Sequence, residues 1–297
     1  MDEFQPELTV FTPTYNRAHT LHRLYNSLVN QSSDQVEWLV VDDGSTDHTA
    51  DVIADFSREG KVHIRYEKKE NGGKHTALNM GIRLARGKYF LCVDSDDCLE
   101  DNALAQILRA LQEKPDGVIA YKSYWDSGDR IGDPFPENLQ KTTLFSLINN
   151  HCCSGDRTLI FRTDYIKQIE IPEPEGYHFF PETYLYDQFD KHHTCVLLPE
   201  NLCRCEYLPG GYSDTFRMLM IRNALPMKWF YANRLDMPCR LSQRFSNAWH
   251  YIGFSMLAPG ETGRYRGKYR WMLPFALLPG IAMYMMYGRY RMMDQRK

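Results

Sequence analysis

Three carboxylates stand within four residues at Asp94-Ser95-Asp96-Asp97. They follow Lys88-Tyr89-Phe90-Leu91-Cys92-Val93, a short apolar run that reads as a buried strand. Crowded acids repel one another and are costly to hold together without a cation. Asp94 and Asp96 are two apart, so extended backbone points both the same way. Oxygen ligands of this kind suit a hard divalent ion, Mn²⁺ or Mg²⁺, that also binds substrate phosphates. The plainer reading is a solvated turn in which Asp97 caps the next helix.

Similar polar tips end the runs upstream. Leu8–Thr12 is rich in β-formers; Pro13 is expected to end it, and Thr14-Tyr15-Asn16-Arg17 follows as a loop. Val36–Val41 is a second strand that ends in Asp42-Asp43-Gly44-Ser45-Thr46-Asp47. Val62–Tyr66 is a third, and Asn71-Gly72-Gly73-Lys74-His75 comes after it. Between them, Leu21, Leu24, Tyr25 and Leu28 recur at helical spacing. A second helix runs through Ile53 and Phe56, and a third is expected from Thr76 to Arg86. Strands alternating with helices long enough to cross over imply a mainly parallel sheet with right-handed connections. Ligands of such sheets bind outside the carboxyl ends of the strands. Tyr15, Asp43, Lys74 and Asp96 all follow strand ends, which places them to share one crevice.

Neither G-x-G-x-x-G nor G-x-x-x-x-G-K-[ST] is present. Acidic loops suit a ribose hydroxyl, a base edge, or a phosphate reached through a metal ion. Tyr15 can pack on a base and Lys74 can approach a phosphate as a point charge. Each also has a structural reading: Asp43 as a turn former, Lys74 as a solvated charge, Tyr15 as an aromatic at the core edge.

Composition sets the outer limits. The chain has 297 residues, 43% hydrophobic and 25% charged, which is ordinary for a globular protein. A formal net charge of −3 gives no reason to expect nucleic acid as a partner. Eight cysteines without C-x-x-C spacing argue for reduced thiols, not a disulfide scaffold or a zinc site. Met1-Asp2-Glu3-Phe4-Gln5 is polar and acidic, unlike a secretory leader, so a cytoplasmic location is expected.

In their order, Thr-Pro-Thr-Tyr-Asn-Arg, Val-Val-Asp-Asp-Gly-Ser-Thr-Asp, Asn-Gly-Gly-Lys-His-Thr-Ala-Leu-Asn and Val-Asp-Ser-Asp-Asp resemble the family 2 glycosyltransferases of GT-A fold. The resemblance is close from Leu8 to Leu99 and looser to about Tyr212. Gly155-Asp156-Arg157 to Phe161-Arg162-Thr163, with Phe180-Pro181-Glu182, resembles the bacterial branch that builds capsular and other surface polysaccharides.

That resemblance implies a Rossmann-like α/β fold with a nucleotide-sugar half (1–99) and an acceptor half (100–211). It also implies inverting transfer from a nucleotide diphosphate sugar, often a UDP-sugar. Thr14, Tyr15 and Asp43 would hold the nucleoside, flanked by Thr12, Pro13 and Ser95. Asp42 would be structural or help there, and Lys74 and Asn79 would lie along the donor. Asp94 would touch ribose or metal, and Asp96 would be the principal ligand of Mn²⁺ or Mg²⁺, supported by Asp97.

Inverting transfer also needs a base at the acceptor hydroxyl. By position in the family this is Glu182, after the helix-starting Pro181; an acid there is also favoured by the helix dipole alone. The branch's usual Trp-Asn after Pro-Glu is absent. Tyr186-Asp187 lies nearby instead, so Asp187 stays an alternative. Arg157 would contact the diphosphate or pair with an acid. His178 would approach the acceptor or be an ordinary loop histidine.

Beyond the catalytic part, 212–297 reads as helices with basic faces, carrying Arg217, Arg222, Lys228, Arg234, Arg240 and Arg244. Arg264, Arg266, Lys268 and Arg270 precede an uncharged run from Trp271 to Tyr287 that Pro274 and Pro279 interrupt. A spanning helix needs about 20 apolar residues, and cations on both sides argue against a simple crossing. An interfacial segment is expected, with Trp271, Leu273, Phe275, Leu277 and Leu278 inserting at the inner face of the cytoplasmic membrane. A helix docked on the catalytic part, or a dimer contact, is the alternative. A polyprenyl-linked saccharide would then be a fitting acceptor. Two other classes stay in view: a nucleotidyltransferase, which would want a basic, glycine-rich phosphate loop, and a non-catalytic sugar-nucleotide-binding subunit.

Overall fold

The computed structural model describes residues 5–31, 33–206, 212–258 and 263–294. It divides into two compact units, Met1–Glu170 with Gln188–Glu206, and Ile171–Asp187 with Tyr207–Lys297.

The first unit opens with β1 (Leu8–Thr14), α1 (Leu21–Val29), β2 (Val36–Asp42), α2 (Thr49–Glu59), β3 (His63–Lys68), α3 (Lys74–Leu84) and β4 (Tyr89–Cys92). β1 pairs in parallel with β2 and β4, and β2 with β3, so these strands all end on one side. The alternation of apolar strands and amphipathic helices dictates this arrangement. Residues from both sheet and helices fill the core: Leu8, Val10, Trp38 and Leu91 from strands, Leu24, Tyr25 and Phe56 from α1 and α2. Tyr25 and Phe56 stack with ring centroids 3.9 Å apart.

The later elements are β5 (Cys98–Leu99), α4 (Ala103–Leu111), β6 (Gly117–Tyr124), β7 (Lys141–Thr142), α5 (Leu144–Asn149), β8 (Arg157–Arg162), α6 (Thr163–Ile166), α7 (Thr183–Asp190) and β9 (Cys195–Cys205). The sheet order is β3-β2-β1-β4-β8-β6-β9-β5, with β7 also on β9. β8 runs antiparallel to both β4 and β6, so the sheet is mixed beyond its parallel first half.

Pro13 does not end β1. The strand continues through Pro13, opposite Val41, to Thr14, opposite Asp42. β4 pairs with β1 only as far as Phe11, so Pro13 sits where one side of β1 is already an edge and a missing N–H is tolerated. α3 begins two residues before Thr76, at Lys74, after Gly73 adopts φ +95°. That left-handed conformation favours glycine. At the opposite end of the sheet, buried Glu37 accepts from Thr9 Oγ1 (2.6 Å), the Arg86 N–H (2.8 Å) and Arg65 Nη1 (3.2 Å), tying the α3–β4 connection to β2.

The second unit contains α8 (Tyr212–Arg222), α9 (Ala224–Asp236), α10 (Leu241–Leu257) and α11 (Leu277–Asp294). The expected boundary near residue 212 leaves Ile171–Asp187 with the catalytic part; in the structure that segment clusters with these helices instead. Two contacts account for this: Arg234 pairs with Asp187, and Phe179 meets Phe216 edge-on at 6.1 Å. The expected basic faces are only partly outward. Lys228 and Arg244 are buried, and Arg244 donates to the Met237 carbonyl at 2.9 Å while lying 3.6 Å over the Tyr269 ring. Leu235, Ala248, Tyr251, Met272 and Ala276 form the local core, with Leu273 packed against it; Leu273 therefore turns away from the surface assigned to it by sequence. α10 and α11 approach closely at glycines: a Cβ on Gly280 would stand 2.6 Å from Ile252 Cγ2. Among the described residues no helix is long and apolar enough to cross a membrane.

Candidate active site

The carboxyl ends of the four parallel strands are stitched together. The Asp43 N–H donates to the Thr14 carbonyl (2.8 Å). Asn16, at φ +54°, donates its N–H to Ser45 Oγ (2.8 Å), and its Oδ1 accepts the N–H of Thr46 (2.8 Å) and of Asp47 (3.3 Å). Asp47 in turn accepts from the Ala18 N–H and caps α2 through the Thr49 N–H and hydroxyl. Some burial notwithstanding, these donors hold its carboxyl below the usual range.

Asp42 and Asp43 are both buried, with different partners. Asp42 Oδ1 accepts the Ser45 N–H (2.7 Å) and Oδ2 the Tyr66 hydroxyl (2.5 Å). Burial, and then the Asp42 charge, push the Tyr66 phenol well up. Asp43 Oδ1 accepts Lys69 Nζ (2.8 Å) and the Gly72 N–H (2.9 Å); Oδ2 accepts the Gly73 N–H (2.7 Å) and Asn71 Nδ2 (3.2 Å). A carboxylate offers about four acceptor positions, so the Asn71-Gly72-Gly73 loop and Lys69 fill those of Asp43.

Lys74, the first residue of α3, places Nζ 2.7 Å from Asp94 Oδ1. Arg17 Nη2 lies 4.0 Å from Asp96 Oδ2. Burial works to raise the Asp94 carboxyl, but Lys74, Lys122 and Arg17 together pull it below its ordinary range. Asp97 turns inward: its Oδ2 accepts from Lys122 Nζ of β6 at 2.9 Å. Burial pushes the Asp97 carboxyl up to about 6 against that charge. Asp94 and Asp96 keep partly open side chains, 36% and 26% exposed, whereas Asp97 is 7% exposed.

Among the described residues no group of three or more His, Cys, Asp or Glu side chains is gathered to hold a metal. The donor set fits one class of ion all the same. Mg²⁺-like ions are held by one or two carboxylates and take their other ligands from water and substrate phosphates. Asp94 and Asp96 would be two such carboxylates, and each faces a cation.

The remaining expected residues divide. Tyr15 is 49% exposed, in the loop after β1. Thr14 is buried, and its Oγ1 has no hydrogen-bond partner among the described residues, while the Thr12 hydroxyl accepts from the Trp38 indole at 3.0 Å. Ser95 and Asn79 are buried. Arg157 is not available to a diphosphate. It is buried, donates to the carbonyls of Ile131 (3.2 Å), Asp133 (2.8 Å) and Ser154 (2.7 Å), and lies over the Tyr121 and Phe135 rings.

In the second unit, Glu182 immediately precedes α7, and its carbonyl accepts the Leu185 N–H at 2.9 Å. Its side chain is half-buried. Asp187 is held from both oxygens by Arg234, at 2.8 and 3.2 Å, and is almost fully buried. That bidentate pair occupies both oxygens of the alternative base. His178 is exposed in the loop before α7. Sequence reasoning missed Lys69 and Lys122. Lys122 had a signal, a cation inside the otherwise buried strand Gly117–Tyr124, because lysine is almost never buried unless paired.

A parallel half-sheet with acidic and basic tips gathered at its carboxyl end, continued by antiparallel strands, defines an α/β fold of the kind whose ligands sit at that end. Residues 9–168 match the model of glycosyl transferase family 2, and the chain belongs to that family. It is 32% identical over 124 residues to the glycosyltransferase GlyG of Streptococcus pneumoniae serotype 4, covering 41% of each chain. It is 28% identical over 174 residues to the poly(ribitol-phosphate) beta-N-acetylglucosaminyltransferase TarS of Staphylococcus aureus, covering 57% of this chain and 30% of TarS. The chain thus spans less than half the length of these relatives.

The crystal structure of TarS 1–349 in complex with UDP-GlcNAc superposes with a TM-score of 0.60 at 19% identity, over 94% of this chain and 81% of that one. A mannosyltransferase from Pyrobaculum calidifontis in complex with GDP-Man and Mn²⁺ gives 0.58 at 17% identity, over 95% and 87%. The fold is accordingly the GT-A type.

Proposed function

We propose that this protein is a metal-dependent, inverting glycosyltransferase. It moves a sugar from a nucleotide diphosphate donor, a UDP-sugar, to a hydroxyl of a saccharide or lipid-linked saccharide in bacterial surface-polysaccharide synthesis, at the inner face of the cytoplasmic membrane. The observation that carries this reading is the pairing of Asp94 with Lys74 at 2.7 Å and of Asp96 with Arg17 at 4.0 Å, at the carboxyl end of the parallel strands. The family membership, the UDP-GlcNAc bound by TarS 1–349 and the Mn²⁺ of the mannosyltransferase support it.

The nucleoside lies against Tyr15 and the Thr12-Pro13-Thr14 end of β1, with Asp42 and Asp43 shaping that wall. Asp94 and Asp96 would hold Mn²⁺ or Mg²⁺, and the bound ion would supply positive charge for the departing diphosphate. Lys74 and Arg17 add fixed cations for the same oxygens. The acceptor oxygen bonds to the anomeric carbon as the bond to the diphosphate oxygen breaks, and the nucleoside diphosphate leaves with that electron pair. Glu182 takes the acceptor's proton. In this reading residues 1–211 carry the catalysis, and 212–297 the membrane association.

Asp96→Asn tests the reading by ligand-induced stabilisation as well as by turnover. Wild-type protein should gain thermal stability from Mn²⁺ and a UDP-sugar together, and hydrolyse the donor slowly without acceptor. Asp96→Asn should lose both while keeping its unliganded melting temperature. An Asp96→Asn protein with unchanged Mn²⁺-dependent stabilisation and hydrolysis would overturn the metal assignment.

A further inference from the structure

The outer face of the C-terminal segment is apolar along its length. Trp271, Phe275, Leu278 and Met285 are 55%, 71%, 78% and 57% exposed. Their spacing of four, three and seven residues keeps them on one side of a helical path. The Trp271 and Phe275 rings meet edge-on at 6.4 Å. The opposite side is occupied: Met272 and Ala276 join the local core, and Gly280 and Met283 lie against α10. The segment is anchored, because the Tyr265 N–H donates to the Tyr251 hydroxyl at 2.7 Å and the Tyr265 hydroxyl to Asp236 at 2.6 Å.

Charge brackets the stripe. Arg264, Arg266, Lys268 and Arg270 are exposed before it, Arg289 and Arg291 after it, and no acid occurs from Gly263 to Arg291. Exposed apolar patches rimmed by polar groups mark interaction sites. A second copy apposed on the same face would bring six cations against six, and juxtaposed like charges oppose such pairing. An anionic bilayer answers both features: its acyl boundary takes the stripe, and its headgroups take the cations.

We infer that the Trp271–Met285 stripe is an in-plane lipid-binding face, lying along an anionic membrane without crossing it. This rests on the membrane placement proposed above and names the surface responsible.

Vesicle flotation of the full chain tests it, with phosphatidylglycerol-containing and phosphatidylcholine-only vesicles at low and high salt. The chain should float with the anionic vesicles and only weakly with the neutral ones. Raising salt should lower the partition without abolishing it, since screening removes the ionic part alone. Removing one cation, as in Arg266→Ala, should lower partition about fivefold. Phe275→Glu with Leu278→Glu should abolish flotation at either salt; both side chains are exposed, so circular dichroism and UDP binding should be unchanged. If the wild type floats and this double variant floats equally, the stripe is not the lipid face although the membrane placement stands. If the wild type ignores both vesicles, both ideas fall. If it forms a dimer that the double variant loses, the occupant is a second copy and the inference is wrong. UDP binding and donor hydrolysis report on the transferase reading independently.

Discussion

Lys122 and Asp97 form an ion pair beneath the acidic turn, Nζ to Oδ2 at 2.9 Å, with both side chains largely withdrawn from water. Burial alone would lower the Lys122 ammonium; the Asp97 and Asp94 charges outweigh it and hold it well above its ordinary value. The pair ties the acidic turn to β6. Lys122→Met should destabilise the protein by about 3 kcal/mol, the scale for stranding a buried charge. Chemical denaturation measures this. Adding Asp97→Asn to that variant should recover part of the loss, and a double variant no more stable than Lys122→Met would refute the pairing as the cause.

Glu182 and Asp187 should separate cleanly. Glu182→Gln should keep donor binding and reduce transfer by about 10²-fold or more, the usual scale for a general base. Asp187→Asn should act on stability, because it weakens the bidentate bond from Arg234. Steady-state kinetics together with melting curves decide. A large drop in turnover for Asp187→Asn at unchanged stability would exchange the two roles.

Asp47 gives a pH-dependent signature. Its carboxyl is held below the ordinary value of 3.8 in the folded chain. A depressed acid contributes stability that is present above its unfolded value and lost as pH falls through its folded one. Asp47→Ala should therefore be less stable than wild type at pH 7, with the gap narrowing as pH falls below 3.8. Urea midpoints across that range measure it; a constant gap would show that the carboxylate charge is not what matters.

The parallel half of the sheet is legible in the sequence because its information is local. Apolar runs, helical spacing and polar tips recur within a few residues, and they suffice to put the loops after β1, β2, β3 and β4 on one side. What the sequence hides lies in partnerships between distant residues. Arg157 reads as a diphosphate contact or the partner of an acid until the Asp133 carbonyl, 24 residues away, is seen to accept from it. Asp187 reads as a spare base until Arg234, 47 residues on, takes both oxygens. Pro13 reads as a strand end because the register of β4, which exposes that side of β1, is set by tertiary pairing. The segment Ile171–Asp187 joins the C-terminal helices through such long-range contacts, which composition cannot reveal.

The Asp43 carboxylate accepts four hydrogen bonds from the loop after β3, and two of these come from glycine amides. Glycine backbone is the most expensive to immobilise. Here that entropy is surrendered once, when the chain folds, and not again each time a ligand arrives. In the function proposed above, a nucleotide entering beside Lys74 would meet a wall already at rest, and its binding would not have to offset the ordering of Gly72 and Gly73.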